Sequence, residues 1–187
     1  MAVPFLSDVY IKYFLEHDPS YDTSKITYEE FAKLFAEDVK LYGDKVNSTN
    51  NPDLSAFRKA GGKMIVWHGL ADNLLPPKNT LDYRQKVDNL MGGTDAVDDF
   101  WRLFFAPGVS HCGGGYGPVP TDPLAAVVAW VENGTVPDTL SAHFTDPSGT
   151  VVNHDICRYP LVSRYDGKGD PKVASSYTCA SSFGPAC

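Results

Sequence analysis

The chain has 187 residues with a hydrophobic share of 43% and an aromatic share of 12%, enough for one folded domain with a real core and too much for a disordered chain. Its 23 Asp and Glu against 16 Lys and Arg give a net charge of −7, which argues against nucleic acid or an anionic membrane surface as the main partner. The longest apolar runs, such as Leu124 to Val131, are far too short to span a bilayer.

Pro4 to His17 carries apolar residues at helical spacing (Phe5, Leu6, Val9, Tyr10, Tyr13, Phe14), and Asp18-Pro19 stops it. Thr27-Tyr28-Glu29-Glu30 is a capping box that opens a second helix, with Phe31, Leu34, Phe35, Val39 and Leu41 on one face and Gly43 at its end. A polar, turn-rich stretch from Asp44 to Asp53 reads as a surface loop. Residues 1–43 are thus expected to form a helical segment, and residues 44–187 the remainder of an α/β domain.

Lys63-Met64-Ile65-Val66-Trp67-His68-Gly69 is a short continuous apolar run, the signature of a strand buried on both faces in a parallel sheet. Pro76-Pro77 ends the loop behind it, and Asn79 to Leu90 reads as a helix closed by Gly92-Gly93. Phe100 to Phe105 is a second buried-type strand, stopped by Ala106-Pro107-Gly108, and a glycine-rich loop follows. Asp122-Pro123 then opens a helix through Leu124, Val127, Val128, Trp130 and Val131. The order strand, helix, strand, helix implies parallel neighbours in an α/β sheet. After Asn133 the pattern gives mainly loops and short strands. Two strands fall short of the about five or six of an ordinary α/β layer, so the other strands are expected outside this stretch of sequence.

The four cysteines, Cys112, Cys157, Cys179 and Cys187, form no Cys-x-x-Cys pair, which speaks against zinc ribbons and thioredoxin-type redox motifs. Three of them lie in a Ser-, Gly- and Pro-rich tail, the kind of segment that a disulfide holds down. Asn47-Ser48-Thr49 and Asn133-Gly134-Thr135 are glycosylation sequons. Together these features favour an oxidising, secreted setting. No leader pattern opens the chain, so the expectation is that sequence is missing upstream.

In open α/β sheets ligands sit beyond the carboxyl ends of the strands. Asp72 follows the first strand and His111 the second, within Pro107-Gly108-Val109-Ser110-His111-Cys112-Gly113-Gly114-Gly115. Parallel neighbours bring those loop mouths together, and a carboxylate with an imidazole is what acyl transfer needs to activate a serine. Their order, acid before histidine, is that of α/β-hydrolases. An Asp after a strand also serves as a turn former, and a His in a glycine-rich loop as a hydrogen-bonded loop residue. His68, at a strand end, reads as a packed side chain; His17, His143 and His154 have no partner pattern. A G-x-S-x-G elbow is absent from the sequence, and Ser110 beside His111 is badly placed for attack. Cys112 as a thiol nucleophile competes with its use in a disulfide. A metal site from His68, Asp72 and His111 lacks any ligand spacing, and Gly113-Gly114-Gly115 lacks the Lys-[Ser/Thr] of a phosphate loop.

Gly61-Gly62-Lys63 leading to Trp67-His68-Gly69-Leu70-Ala71-Asp72, and Arg102 through Gly115, closely resemble the fungal tannase and feruloyl esterase family. So do Trp130-Val131-Glu132-Asn133-Gly134, Arg158-Tyr159-Pro160 and Gly167-Lys168-Gly169-Asp170, with the match running from about Asp44 to Cys179. The resemblance implies a secreted ester hydrolase with an α/β-hydrolase catalytic domain, an inserted lid carrying calcium, and a Ser-Asp-His triad. In that family a cysteine beside the nucleophile and one beside the histidine are joined. It implies Asp72 as triad acid, His111 as general base, Cys112 as the histidine-side half of that disulfide, and Cys157 with Cys179 as a tail disulfide. Cys187 is extra.

The serine, the oxyanion-hole donors and the calcium-binding lid have no counterpart in this sequence. The resemblance therefore implies a C-terminal portion of an α/β-hydrolase: the last parallel strands with flanking helices and a loop-rich disulfide tail. The function expected is hydrolysis of galloyl or feruloyl esters. This chain supplies Asp72 and His111, is inactive alone, and has as partner the N-terminal part of the same protein, linked through Cys112 where the chain is processed in two. The alternative is a non-catalytic remnant or binding protein that keeps the fold elements.

Overall fold

The structure, a computed structural model, describes residues 5–43 and 49–182. The chain divides into two compact units, Met1–Asn51 and Pro52–Cys187. In the first, α1 (Phe5–Tyr10) runs on into a π-helical turn, Ile11–Leu15, and α2 (Tyr28–Tyr42) follows. The capping box sets the start of α2: the Thr27 hydroxyl accepts from the Glu30 amide at 3.2 Å, and the Glu30 carboxylate accepts from the Thr27 amide at 2.8 Å. Tyr10 donates its hydroxyl to Asp38 at 2.5 Å, and that bond pushes the phenol up to about 12. Of the apolar face that periodicity assigns to α2, Leu34 is buried while Phe31, Phe35 and Val39 are exposed. Two helices bury only the strip at their mutual contact.

The second unit is built on β1 (Met64–Gly69) and β2 (Trp101–Ala106), which pair in parallel from Met64↔Trp101 to Gly69↔Ala106. A short α3 (Ser55–Lys59) precedes β1. Between the strands lie α4 (Pro77–Met91) and a short α5 (Thr94–Asp98). α4 begins two residues before the expected Asn79, because a proline that reads as a loop end is also well suited to the first helical position. The side chains of β1 and β2 alternate between two apolar clusters. Met64, Val66 and Trp101 pack with Val87 of α4, Val97 of α5 and Phe100; Ile65, Trp67, Phe104 and Ala106 pack with Val109, Leu140, Ala142 and Ile156. Ala126 of α6 (Pro123–Asn133) joins the second cluster, so helices cover both faces of the pair.

After α6 the chain forms short antiparallel ladders. β5 (Ala142–Thr145) pairs with β3 (Val119–Pro120) and β6 (Val151–Asn153); β4 (Thr139–Leu140) pairs with β7 (Ile156–Cys157); β8 (Val162–Tyr165) pairs with β9 (Tyr177–Ala180). At two to four residues, most are too short for a period-2 pattern to be read. Just past β7 the tail docks on the outer edge of β2, through an antiparallel bridge Phe104↔Arg158 and a bond from the Tyr159 amide to the Leu103 carbonyl at 2.7 Å. Among the described residues no strand pairs with the opposite edge of β1. Cys157 and Cys179 form a disulfide.

Candidate active site

Asp72 and His111 stand just beyond the carboxyl ends of β1 and β2, and backbone bonds extend the strand pair to bring them together. The Leu70 amide donates to the Ala106 carbonyl at 2.9 Å and the Ala71 amide to the Val109 carbonyl at 3.0 Å. Gly69 makes this approach feasible: a Cβ there would lie 2.3 Å from the Val109 carbonyl oxygen and 2.7 Å from that of Ser110. The loop after β2 folds back through a bridge Val109↔Gly115, and a Cβ on Gly115 would lie 2.2 Å from the Gly108 carbonyl oxygen.

In this frame the His111 Nδ1–H donates to Asp72 Oδ2 at 2.9 Å. The Asp72 side chain is 4% exposed and that of His111 36%. The other carboxylate oxygen, Oδ1, accepts the amides of Leu74 and Leu75 at 2.8 and 2.9 Å. Burial by itself raises the Asp72 pKa; the Leu75 amide, the His111 ring and the Leu74 amide outweigh it and hold the carboxyl well below its ordinary range. A carboxylate that stays ionised fixes the imidazole tautomer, leaving Nε2 as the proton acceptor. Among the described residues Nε2 has no hydrogen-bond partner. The arrangement can take a proton from a hydroxyl presented to His111 and stabilise the imidazolium that results.

His68 is more than a packed strand residue. Its Nδ1 meets the Thr80 hydroxyl at 2.8 Å, and its Nε2 faces the Leu75 carbonyl at 3.0 Å and Asp72 Oδ2 at 3.2 Å. The four-residue spacing from His68 to Asp72 permits this contact only because the turn after β1 returns Asp72 onto the strand end. Cys112 is exposed with a free thiol and a left-handed backbone, φ 56°. Of the remaining histidines, His143 meets the Thr121 hydroxyl at 3.1 Å, and His154 packs edge-on against Tyr177 with burial lowering its pKa. Asn133 closes α6 and is exposed; Asn47 and Cys187 lie outside the described residues.

Among the described residues no three His, Cys, Asp or Glu side chains are grouped to hold a metal ion. The calcium that the resemblance assigns to a lid has no ligand set among the described residues. A cavity of about 420 Å3 opens near the same end of the strands, lined by Leu70, Phe105, Pro107, Tyr159 and Leu161; neither Asp72 nor His111 lines it. No helix among the described residues is long and apolar enough to cross a membrane.

The sequence profile described as "Tannase and feruloyl esterase" matches residues 3–180. The chain belongs to the tannase and feruloyl esterase family. Over 186 residues it is 47% identical to a probable feruloyl esterase of Arthroderma benhamiae, which covers 97% of this chain and 34% of the relative. Over 137 residues it is 39% identical to the mono(2-hydroxyethyl) terephthalate hydrolase of Piscinibacter sakaiensis, covering 72% of this chain and 22% of that one. Among solved structures, the tannin acyl hydrolase of Aspergillus niger superposes with a TM-score of 0.82 at 26% identity, over 96% of this chain and 34% of the other. Feruloyl esterase B of Aspergillus oryzae gives 0.77 at 27% identity, over 93% and 37%. The fold is thus the α/β-hydrolase fold of this ester hydrolase family. The chain spans about a third of the length of the curated feruloyl esterase relatives it matches.

Proposed function

We propose that this chain supplies the acid and base of a serine-type carboxylic ester hydrolase acting on galloyl or feruloyl esters. On this reading the nucleophile lies in a preceding part of the same protein, and the 187 residues alone do not turn over. The observation that carries it is the His111 Nδ1–H bond to a buried, ionised Asp72, with Nε2 left unpartnered among the described residues.

The steps follow from that geometry. A serine hydroxyl brought to Nε2 gives up its proton as its oxygen attacks the ester carbonyl carbon, and Asp72 stabilises the imidazolium. The tetrahedral intermediate collapses, and His111 returns the proton to the leaving alcohol oxygen. Water then enters: Nε2 takes its proton, the hydroxide oxygen attacks the acyl carbon, and the proton goes back to the serine as the phenolic acid departs. Cys112, exposed beside His111, would join a cysteine of the preceding part and tie base to nucleophile. The edge of β1 that no strand pairs with among the described residues supports the same reading, since a strand apolar on both faces calls for two neighbours. The reading also sets the protein outside the cell, with the exposed Asn133 and the sequon at Asn47 as glycan acceptors.

The test is turnover of methyl ferulate and methyl gallate. The isolated chain should show none. Joined to the preceding two thirds of the Arthroderma benhamiae relative, it should hydrolyse one of them, with activity falling about 10⁴-fold in Asp72→Asn and in His111→Ala. Robust turnover by the isolated chain, or an active chimera indifferent to both substitutions, would overthrow the reading; a folded chimera without turnover is what a non-catalytic remnant predicts.

A further inference from the structure

We propose that His68 is a positioning residue for Asp72, holding Oδ2 in the orientation that receives the His111 Nδ1–H. The inference rests on the Asp72–His111 pairing read above and concerns what sets its geometry.

A carboxylate offers about four lone-pair sites. At Asp72 all are used: Oδ1 takes the Leu74 and Leu75 amides, and Oδ2 takes His111 at 2.9 Å and His68 at 3.2 Å. The two imidazoles differ in how they are held. His111 sits in the loop after β2, 36% exposed, with one hydrogen bond among the described residues. His68 belongs to β1 itself, its side chain 15% exposed and bonded at both ring nitrogens. Its position in the strand sends it to the face shared with Met64 and Val66, where α4 packs, and there Thr80 in the first turns of that helix meets Nδ1.

The partners of Nε2 fix its proton. The Leu75 carbonyl and the ionised Asp72 carboxylate can only accept, so Nε2 carries the hydrogen and shares it between them. In the neutral ring the Thr80 hydroxyl donates to Nδ1, which selects that tautomer. A chain of contacts, Thr80 to His68 to Asp72 to His111, thereby carries the rigidity of the sheet and of α4 to the base. The longer His68 contact orients the carboxylate; the shorter His111 contact fixes the tautomer that leaves Nε2 free to take the proton.

The experiment is NMR on the 187-residue chain with 15N-labelled histidine, following the hydrogen-bonded His111 Nδ1 proton, which resonates far downfield when it faces a carboxylate. His68→Leu should lose that line to exchange broadening, and His68→Gln, whose amide can donate to Oδ2, should restore it. Thr80→Val should broaden it while leaving both rings in place. The amide spectrum of β1 and β2 reports folding in each variant. A folded His68→Leu protein with an unchanged line would overturn the proposal, because a residue that merely packs would not move that proton. If His68→Leu does not fold, Thr80→Val decides, and an unchanged line there overturns it as well. Absence of the line in the unsubstituted chain would instead sink the Asp72–His111 pairing, which separates the two failures.

Discussion

Gly69, the last residue of β1, lies against the backbone of Val109 so closely that a Cβ would come within 2.3 Å of the Val109 carbonyl oxygen. That carbonyl accepts the amide of Ala71, the residue just before Asp72, so the contact sets the spacing of the acid and base loops. Backbone cannot yield as the end of a flexible side chain does. Gly69→Ala should therefore destabilise the protein by about 1–3 kcal/mol and separate the loops. Urea unfolding gives the first number, and loss of the His111 Nδ1 proton line reports the second. Retention of both wild-type values would refute the close-approach account.

Acid stability follows from Asp72 and Asp146. Asp146 is held low by the Lys172 ammonium, the Ser148 hydroxyl and the Thr150 amide, while the donors at Asp72 overcome its burial. Both carboxyls bind a proton less tightly in the folded chain than at the unfolded value of 3.8. Their contribution is complete above that value and is lost as pH falls below it toward the folded pKa. The urea midpoint should drop steeply on acidification below about pH 4, and the drop should be shallower in Asp72→Asn and Asp146→Asn. Parallel wild-type and variant profiles would show that these carboxylates do not set acid stability.

The sequence carried the site further than it carried the tail. Asp72 and His111 were legible because strand periodicity and parallel order fix which loops share a mouth, whatever the rest of the chain does. The partnership of His68 with Asp72 was not, since Trp67-His68-Gly69 inside an apolar run reads as packing and the contact depends on a turn that refolds onto the strand. The ladders from β3 to β9 escaped for another reason: strands this short take their conformation from neighbours distant in sequence. The helices α3 and α5 have five residues each, below what periodicity resolves.

A buried charge cluster at the start of β2 was equally invisible, because its members are scattered along the chain. Arg84 is fully buried, with Nε on Asp88 at 2.7 Å and a terminal nitrogen on Asp98 at 2.6 Å; the other Asp98 oxygen takes Arg158 at 2.6 Å. Asp98→Ala takes a carboxylate from both guanidinium groups and leaves the buried Arg84 with Asp88 as its remaining ion-pair partner. Breaking one side of such a cluster costs about 3–5 kcal/mol, and the shift in urea midpoint measures it. A loss within the range of a surface substitution would show the cluster to be dispensable.

Cys157 and Cys179 close a loop of sequence separation 22 around β8 and β9, whose strands are four residues each. Arg158, next to Cys157, is the tail's grip on Asp98 and lies in the bridge to Phe104. The disulfide therefore constrains the segment that covers the outer edge of β2, and its loss should lower stability by about 3 kcal/mol through the freed unfolded chain. The comparison is best made in a background carrying Cys112→Ser and Cys187→Ser, with and without Cys157→Ser and Cys179→Ser, because a cysteine outside the pair would otherwise attack the bond during unfolding. Hydrogen exchange should show protection lost first in β8 and β9 and retained in β1 and β2, since the apolar clusters around β1 and β2 do not include either cysteine. Equal loss in both places would mean that the tail and the strand pair unfold as one unit.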